Sequence, residues 1–200
     1  MIMNTEFEVK FVNVSHEELR IKLKELGAKL EQPMRLMKRA IIETPELKAK
    51  DAFIRVRDEG DKVTLTFKQF QALSIDGAKE HEVVVSDFQS TVDLLKAAGL
   101  PYRSLQESKR ETWTLDGAEV VLDEWPWLNP YVEVEGDNEE HVKDVAAKLG
   151  FDWNKAVFGD VMAAYRVQYP HLSEKDTVGN ITEVKFGDPL PDLFVAQHAK

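Results

Sequence analysis

The chain has 200 residues, 26 of them basic and 36 acidic, a net charge of −10 and no cysteine. Without cysteine there are no disulfides, thiolate zinc sites or cysteine nucleophiles. The acidic field repels nucleic acid and phosphorylated ligands unless a local basic cluster or a bridging cation reverses it. With 43% apolar and 31% charged residues, the composition is that of a soluble globular protein. No apolar run approaches the ~20 residues of a bilayer span. Glu6 and Glu8 stand where a signal peptide needs its apolar core. The expectation is a cytoplasmic protein with no membrane and no nucleic-acid partner. His16, His81, His141, His171 and His198 are scattered without ligand spacing. Any metal is therefore expected on carboxylates, which points to Mg²⁺ or Mn²⁺.

Residues 5–12 (TEFEVKFV) alternate strictly and predict a strand. Ser15 opens a capping-box match, and Leu19, Leu23 and Leu26 continue a helix that Gly27 ends. Residues 35–43 predict a second strand, stopped by Thr44-Pro45. Residues 52–58 and 62–69 flank the turn Glu59-Gly60-Asp61 as a hairpin, and residues 79–85 make a fifth strand. Ser86 and Asp87 start a helix that closes at Gly99. Residues 103–114 and 118–124 join at Asp116-Gly117, a strong hairpin signal, and residues 131–135 make the eighth strand. Helices follow at about 138–149 and 154–168. The fold class expected is α+β: an eight-stranded antiparallel β-barrel, with helices packed outside and a C-terminal helical segment. Residues 1–170 form the barrel domain. Residues 171–200 form a tail, packed on the barrel or loosely ordered.

The polar faces of these strands carry the functional signal. Period two puts Glu6, Glu8 and Lys10 on one face, with Phe7, Val9 and Phe11 opposite. It likewise gathers Arg55 with Arg57, Thr64 and Thr66 with Lys68, Glu80 with Glu82, Ser108 with Arg110, and Glu133 with Glu135. Asp123 lies opposite Leu122. Lys38 and Arg39 are adjacent, so one of the two must face inward, and Arg39 is the candidate. For any single strand, a solvated charged face is the ordinary explanation. Recurrent Glu-x-Glu pairs on some strands and basic residues on others favour a wet, charged lumen instead. Arginine forks and lysines suit a chain of phosphates. Carboxylates at i and i+2 suit a hard cation bridging to it.

These motifs resemble the CYTH superfamily, also called triphosphate tunnel metalloenzymes. They include class IV adenylyl cyclases, thiamine triphosphatases and inorganic triphosphatases. The resemblance rests on Glu6-Phe-Glu-Val-Lys10, Glu43-Thr-Pro-Glu-Leu47, Ile54-Arg-Val-Arg57, Thr66-Phe-Lys68, Glu80-His-Glu82, Lys109-Arg110, and Leu122-Asp123 through Glu133-Val-Glu135-Gly136, in order over residues 5–165. It implies that residues 1–170 form a tunnel domain. It implies that Glu6, Glu8, Glu133 and Glu135 contribute to Mg²⁺ or Mn²⁺ binding, with Glu82 and Asp123 as weaker candidates. It implies that Lys10, Arg55, Arg57, Lys68 and Arg110 bind phosphates, joined by Arg39 from the face argument. Two departures stand out. Ile41 and Ile42 replace an aromatic pair that the family often has, and Ser108 stands where many members have lysine. Lys109 points the other way unless a bulge rotates it.

The first expectation is metal-dependent hydrolysis of an inorganic or organic triphosphate, with Lys10, Glu6 and Glu8 at the catalytic centre. A class IV adenylyl cyclase and a non-catalytic polyphosphate- or nucleotide-binding module are the alternatives. The partner is a triphosphate-containing small molecule, and a homodimer is the default assembly. Trp113, Trp125, Trp127 and Trp153 are read as core or rim packing ahead of a base-stacking platform. Trp125-Pro-Trp-Leu-Asn-Pro130 is a rigid loop placed to cover a tunnel mouth.

Overall fold

Alternating sequence becomes alternating facing along β1 (Asn4–Val12), with Val9 and Phe11 in the apolar core and Glu8 and Lys10 on the opposite face, and the same rule organises the strands after it. The computed structural model describes residues 4–72 and 74–195, and of Asn4 and Glu6 only the backbone. The further strands are β2 (Lys29–Ile42), β3 (Ala52–Asp58), β4 (Val63–Phe70), β5 (Ala78–Val85), β6 (Ser104–Leu115), β7 (Ala118–Glu124) and β8 (Tyr131–Gly136). They pair antiparallel in the order β2-β3-β4-β5-β1-β8-β7-β6, and β6 pairs back onto β2. That last pairing closes the ring, as the alternation predicts for eight strands. The narrowest seam is β1–β5, which spans only Asn4↔Glu80 to Glu6↔Ala78. Beyond it the Glu8 amide donates to the Ile75 carbonyl at 3.0 Å.

The helices α1 (His16–Glu25), α2 (Pro45–Lys48), α3 (Phe88–Ala97), α4 (Glu139–Leu149) and α5 (Val161–Gln168) lie outside this ring. Ser15 caps α1 through a hydrogen bond from the Glu18 amide, and Asn138 caps α4 through the His141 amide. Gly150, at φ +89°, ends α4 in the left-handed conformation that other residues avoid. The outward faces of β1, β7 and β8 supply Val9, Phe11, Leu122, Val132 and Val134. These pack under Leu19 and Leu23 of α1 and Val142 and Val145 of α4. Val92 and Leu95 of α3 cover Ala40, Ile42 and Val56. The apolar faces thus point away from the barrel axis, and the polar faces are left to line it. No helix among the described residues is long and apolar enough to cross a membrane.

Three elements differ from expectation for local reasons. β2 starts at Lys29, earlier than residue 35, and absorbs Pro33 where its register to β6 shifts between Leu30 and Arg35. Proline has no N–H for the ladder, so a bulge is where a strand tolerates it. α2 is a short turn capped by Thr44, whose hydroxyl accepts from the Leu47 amide. The helix expected at 154–168 begins at Val161. Before it, Val157 and Lys10 exchange two backbone hydrogen bonds of 2.9 Å, which hold the chain extended. The residues after α5 are stitched to β6. β9 (Glu183–Val184) runs parallel to it, and Ser104 donates to the Ile181 carbonyl at 2.6 Å.

Leu122 is fully buried between β7 and α4. Leu122→Ala is expected to destabilise the chain by about 2–5 kcal/mol. The urea midpoint should fall at an unchanged slope, and an unmoved midpoint would show that this outward face is not core.

Candidate functional site

Inside the ring a cavity of about 530 Å³ runs between charged walls. Every cationic residue singled out from the alternation lines it: Lys10, Arg39, Arg55, Arg57, Lys68 and Arg110. So do the carboxylates Glu8, Glu82, Glu133 and Glu135. Glu6 lies on β1 in the same register, but its side chain is outside the described residues. Asp123 is not in the lumen wall. It is 1% exposed and takes two hydrogen bonds from Arg110, at 2.8 and 2.5 Å. Lys38 is exposed and Arg39 buried, so Arg39 is the inward member of that pair. Lys109 points outward, 3.4 Å from Glu124 and 4.7 Å from the Phe186 ring centroid.

The acidic wall is built by β1 and β8, where Glu8 pairs across the strands with Glu135 and Lys10 with Glu133. Lys10 is 2% exposed. Its ammonium meets Glu8 at 2.9 Å, the Gly159 carbonyl at 2.7 Å and Glu133 at 3.2 Å. Burial opposes all three charges, and mutual attraction overrides it. Glu133 and Glu8 hold the Lys10 pKa above its usual range, while Lys10 and then Arg110 pull the Glu133 carboxyl far below its own. Lys10 and Lys68 likewise hold Glu8 below the carboxylate range.

The basic wall divides into compensated and uncompensated arginines. Arg110 is neutralised by Asp123 and by Glu133 at 2.8 Å. Arg57 donates to Glu59 at 2.7 Å. Arg55 lies 3.7 Å from Glu82 and makes a 3.4 Å hydrogen bond to Thr66, and Glu80 also favours its charge. Among the described residues Arg39 forms no ion pair. It donates to the Ser108 hydroxyl and lies over the Trp125 ring, 4.3 Å from the centroid. Burial and the neighbouring guanidinium groups push Arg39 down to about 9 and Arg55 down to about 10. The Nε atoms of both are buried without a partner. Such a pair is a receptor for an anion.

Sequence reasoning overlooked several charged lumen residues, among them Arg35, Glu59, Glu119 and Asp160. Arg35 shares the parity of Arg39 on β2 and could have been found by it. Its guanidinium spans to the Glu59 carbonyl at 3.0 Å. Glu119 shares the parity of Asp123 on β7 and could have been found by it, whereas Glu59 sits in a hairpin turn and Asp160 at a helix cap, where alternation carries no information. Burial raises the pKa of both Glu119 and Asp160. The tryptophans divide as packing residues, with one exception. Trp113 donates to Glu111 in the outer core, whereas Trp125 contacts both the lumen and Arg39.

Among the described residues no group of three or more His, Asp or Glu side chains is gathered closely enough to hold a metal ion by itself. The donor chemistry nevertheless fits a hard cation, because Glu8, Glu133 and Glu135 offer carboxylate oxygens on one wall. Mg²⁺ commonly takes one or two carboxylates and completes its shell with water and substrate phosphate.

A sequence model of the CYTH domain matches residues 4–156. No curated protein sequence matches the chain. Among solved structures, a protein of Pyrococcus horikoshii OT3 is similar over 76% of this chain and 93% of its own, at 23% identity and a TM-score of 0.65. A Vibrio parahaemolyticus protein, named as a candidate adenylate cyclase, covers 81% of this chain and 98% of its own at 12% identity and a TM-score of 0.69. A Hippeastrum protein, named as a candidate adenylyl cyclase and described as having dominant triphosphatase activity, covers 82% and 96% at 19% identity and a TM-score of 0.54.

The uncompensated charge has a stability signature. The folded pKa of Arg39, about 9, lies below its ordinary 12.5. Its charge therefore opposes folding below pH 9, and this cost fades as pH rises past that value. In anion-free buffer at pH 7, Arg39→Met is expected to stabilise the protein by on the order of 1–3 kcal/mol. The gain should shrink above pH 9. A destabilised Arg39→Met in chemical denaturation would show that the charge is already compensated.

Proposed function

This chain belongs to the CYTH domain family, and from that premise we propose that it is a divalent-metal-dependent triphosphatase acting on inorganic triphosphate or an organic triphosphate. The observation that carries the reading is the buried Arg39, which forms no ion pair among the described residues, with the weakly paired Arg55 beside it, in one lumen with a carboxylate wall. A polyphosphate chain neutralises the arginines, and a cation shared with the phosphates neutralises the carboxylates.

Each residue then has a task. Arg39 and Arg55 grip non-bridging phosphate oxygens, with Arg57, Arg110 and Lys68 extending the basic track. Glu8 and Glu133 stay ionised at every physiological pH because of Lys10 and Arg110, so with Glu135, and Glu6 beside them on β1, they would hold Mg²⁺ or Mn²⁺. Glu82 is a weaker candidate on β5, the strand next to β1, and Asp123 acts through Arg110, which it holds in place. The cation, when bound, supplies Lewis-acid charge neutralisation of the phosphates. Water attacks the terminal phosphorus, the bond from that phosphorus to its bridging oxygen breaks, the remaining diphosphate leaves with that oxygen, and the attacked phosphorus is released as phosphate. Carboxyls held high by burial suit the water's proton, so Asp160 and Glu119 are better bases than Glu8 or Glu133. Lys10, charged throughout, offsets charge on the departing oxygen. The Hippeastrum neighbour described as having dominant triphosphatase activity is consistent with this choice.

One observation favours a second reading. Phe53 and Phe70 line the same lumen with ring centroids 6.4 Å apart, beside Lys68, and could seat a nucleobase. That would suit a class IV adenylyl cyclase, in which the ribose 3′-hydroxyl attacks and pyrophosphate leaves.

A product assay separates them. Inorganic triphosphate, thiamine triphosphate and ATP are each supplied with Mg²⁺ or Mn²⁺. Phosphate release that stops on chelation is expected. Glu133→Gln and Arg55→Gln should each lower kcat/KM by on the order of 10²-fold or more. Cyclic AMP and pyrophosphate without phosphate release would replace the hydrolase with the cyclase. A folded protein that binds these compounds without turnover would leave the binding module.

A further inference from the structure

The CYTH match ends at residue 156, yet the chain beyond it reaches the lumen. Asp160, Met162 and Thr177 through Gly179 line the cavity together with Trp125 and Arg39. α5 and the segment after it form one aromatic core with Trp125 and Tyr131, through Tyr165, Leu172, Val178 and Phe194. Phe194 stacks on Tyr165 with ring centroids 5.0 Å apart and lies tilted against Tyr169 at 4.8 Å.

This core grips the loop that carries Trp125. The Tyr165 hydroxyl donates to the Pro126 carbonyl at 2.6 Å. The Trp127 carbonyl accepts from Tyr169 at 2.5 Å and from Gln168 at 3.0 Å. The Asn129 amide donates to Gln168 at 2.7 Å. Trp127 has φ +63°, a conformation costly for a bulky residue. Such a conformation persists only where its surroundings over-determine it. The loop is therefore fixed from outside, and what it presents inward is the face of Trp125 against Arg39.

Trp125 differs in kind from the partners of the other tunnel arginines. Asp123 and Glu59 orient Arg110 and Arg57 by neutralising them. An aromatic face and a hydroxyl orient Arg39 and leave its charge for a ligand. We infer that the segment following the family match, residues 157–195, sets the affinity of the tunnel for the phosphate chain by clamping Trp125 against Arg39, which makes Trp125 a positioning residue. The inference rests on the triphosphate reading and adds to it the determinant of phosphate affinity at Arg39.

The test is calorimetric titration of the full chain with inorganic triphosphate in EDTA, and again in Mg²⁺ with its non-hydrolysable imido analogue, so that turnover heat does not enter. Trp125→Leu removes the aromatic face and is expected to weaken binding about tenfold. Trp125→Phe keeps a face and should stay within about twofold of the original. In an Arg39→Gln background Trp125→Leu should cost nothing further, because it acts through Arg39. Tyr165→Phe, outside the lumen, loosens the clamp by one hydrogen bond and should weaken binding on the order of threefold, again only when Arg39 is present. It decides the matter should Trp125→Leu fail to fold. Equal affinity in the leucine and phenylalanine variants, or an undiminished effect without Arg39, would overturn the inference while leaving the triphosphate reading intact. An original protein that binds neither triphosphate in EDTA nor its analogue in Mg²⁺ would overturn that reading, and this inference with it.

Discussion

Burying an ammonium between two carboxylates is costly unless every partner is in place, and the Lys10 cluster has them all. Its three acceptors come from β1, from β8 and from the backbone just before α5. One side chain thus ties the barrel seam to the C-terminal segment. Losing any one partner would leave a charge in a nearly dry site, which costs several kcal/mol. The closed ring makes this possible. Strands that turn their apolar faces out to helices must turn their polar faces in, and a lumen of limited volume forces those charges into contact.

Within that lumen the two walls are held differently. The acidic wall is stabilised by Lys10 from its own β1 and by Lys68 and Arg110 from β4 and β6, so Glu8 and Glu133 stay ionised. The basic wall is balanced only in part, with Arg110 and Arg57 paired and Arg39 and Arg55 left short of negative charge. An unliganded protein that tolerates such a pair carries a cost in stability, and an anion bound there would remove that cost. This is how binding sites commonly depart from the arrangement that would be most stable without ligand.

The part of the chain that lies beyond the family match lines part of the tunnel. The β9 pairing, the bond from Ser104 to the Ile181 carbonyl and the aromatic core around Phe194 hold that part against β6 and the Trp125 loop. Differences between proteins of one fold are expected in such additions, which surround the site without altering the strands that build it.

Much of this was present in the order of residues alone. Alternation in TEFEVKFV and IRVR determined which side chains share a face, because the strand repeat is two and admits no other arrangement. The Asp-Gly hairpin and the Ser15 and Asn138 caps fixed the ends of elements by local backbone chemistry. Alternation could not say which face was inside, and that followed from the helices covering Val9, Val132 and Val134. Nor could it foresee that Asp123 belongs to Arg110, that Arg39 has only Ser108 and Trp125, or that Asp160 and Glu59 join the lumen from a cap and a turn. Those facts depend on pairing between residues far apart in the chain. Local periodicity determines the face a side chain takes, but its charge balance depends on neighbours that only the closed barrel brings within a few ångströms.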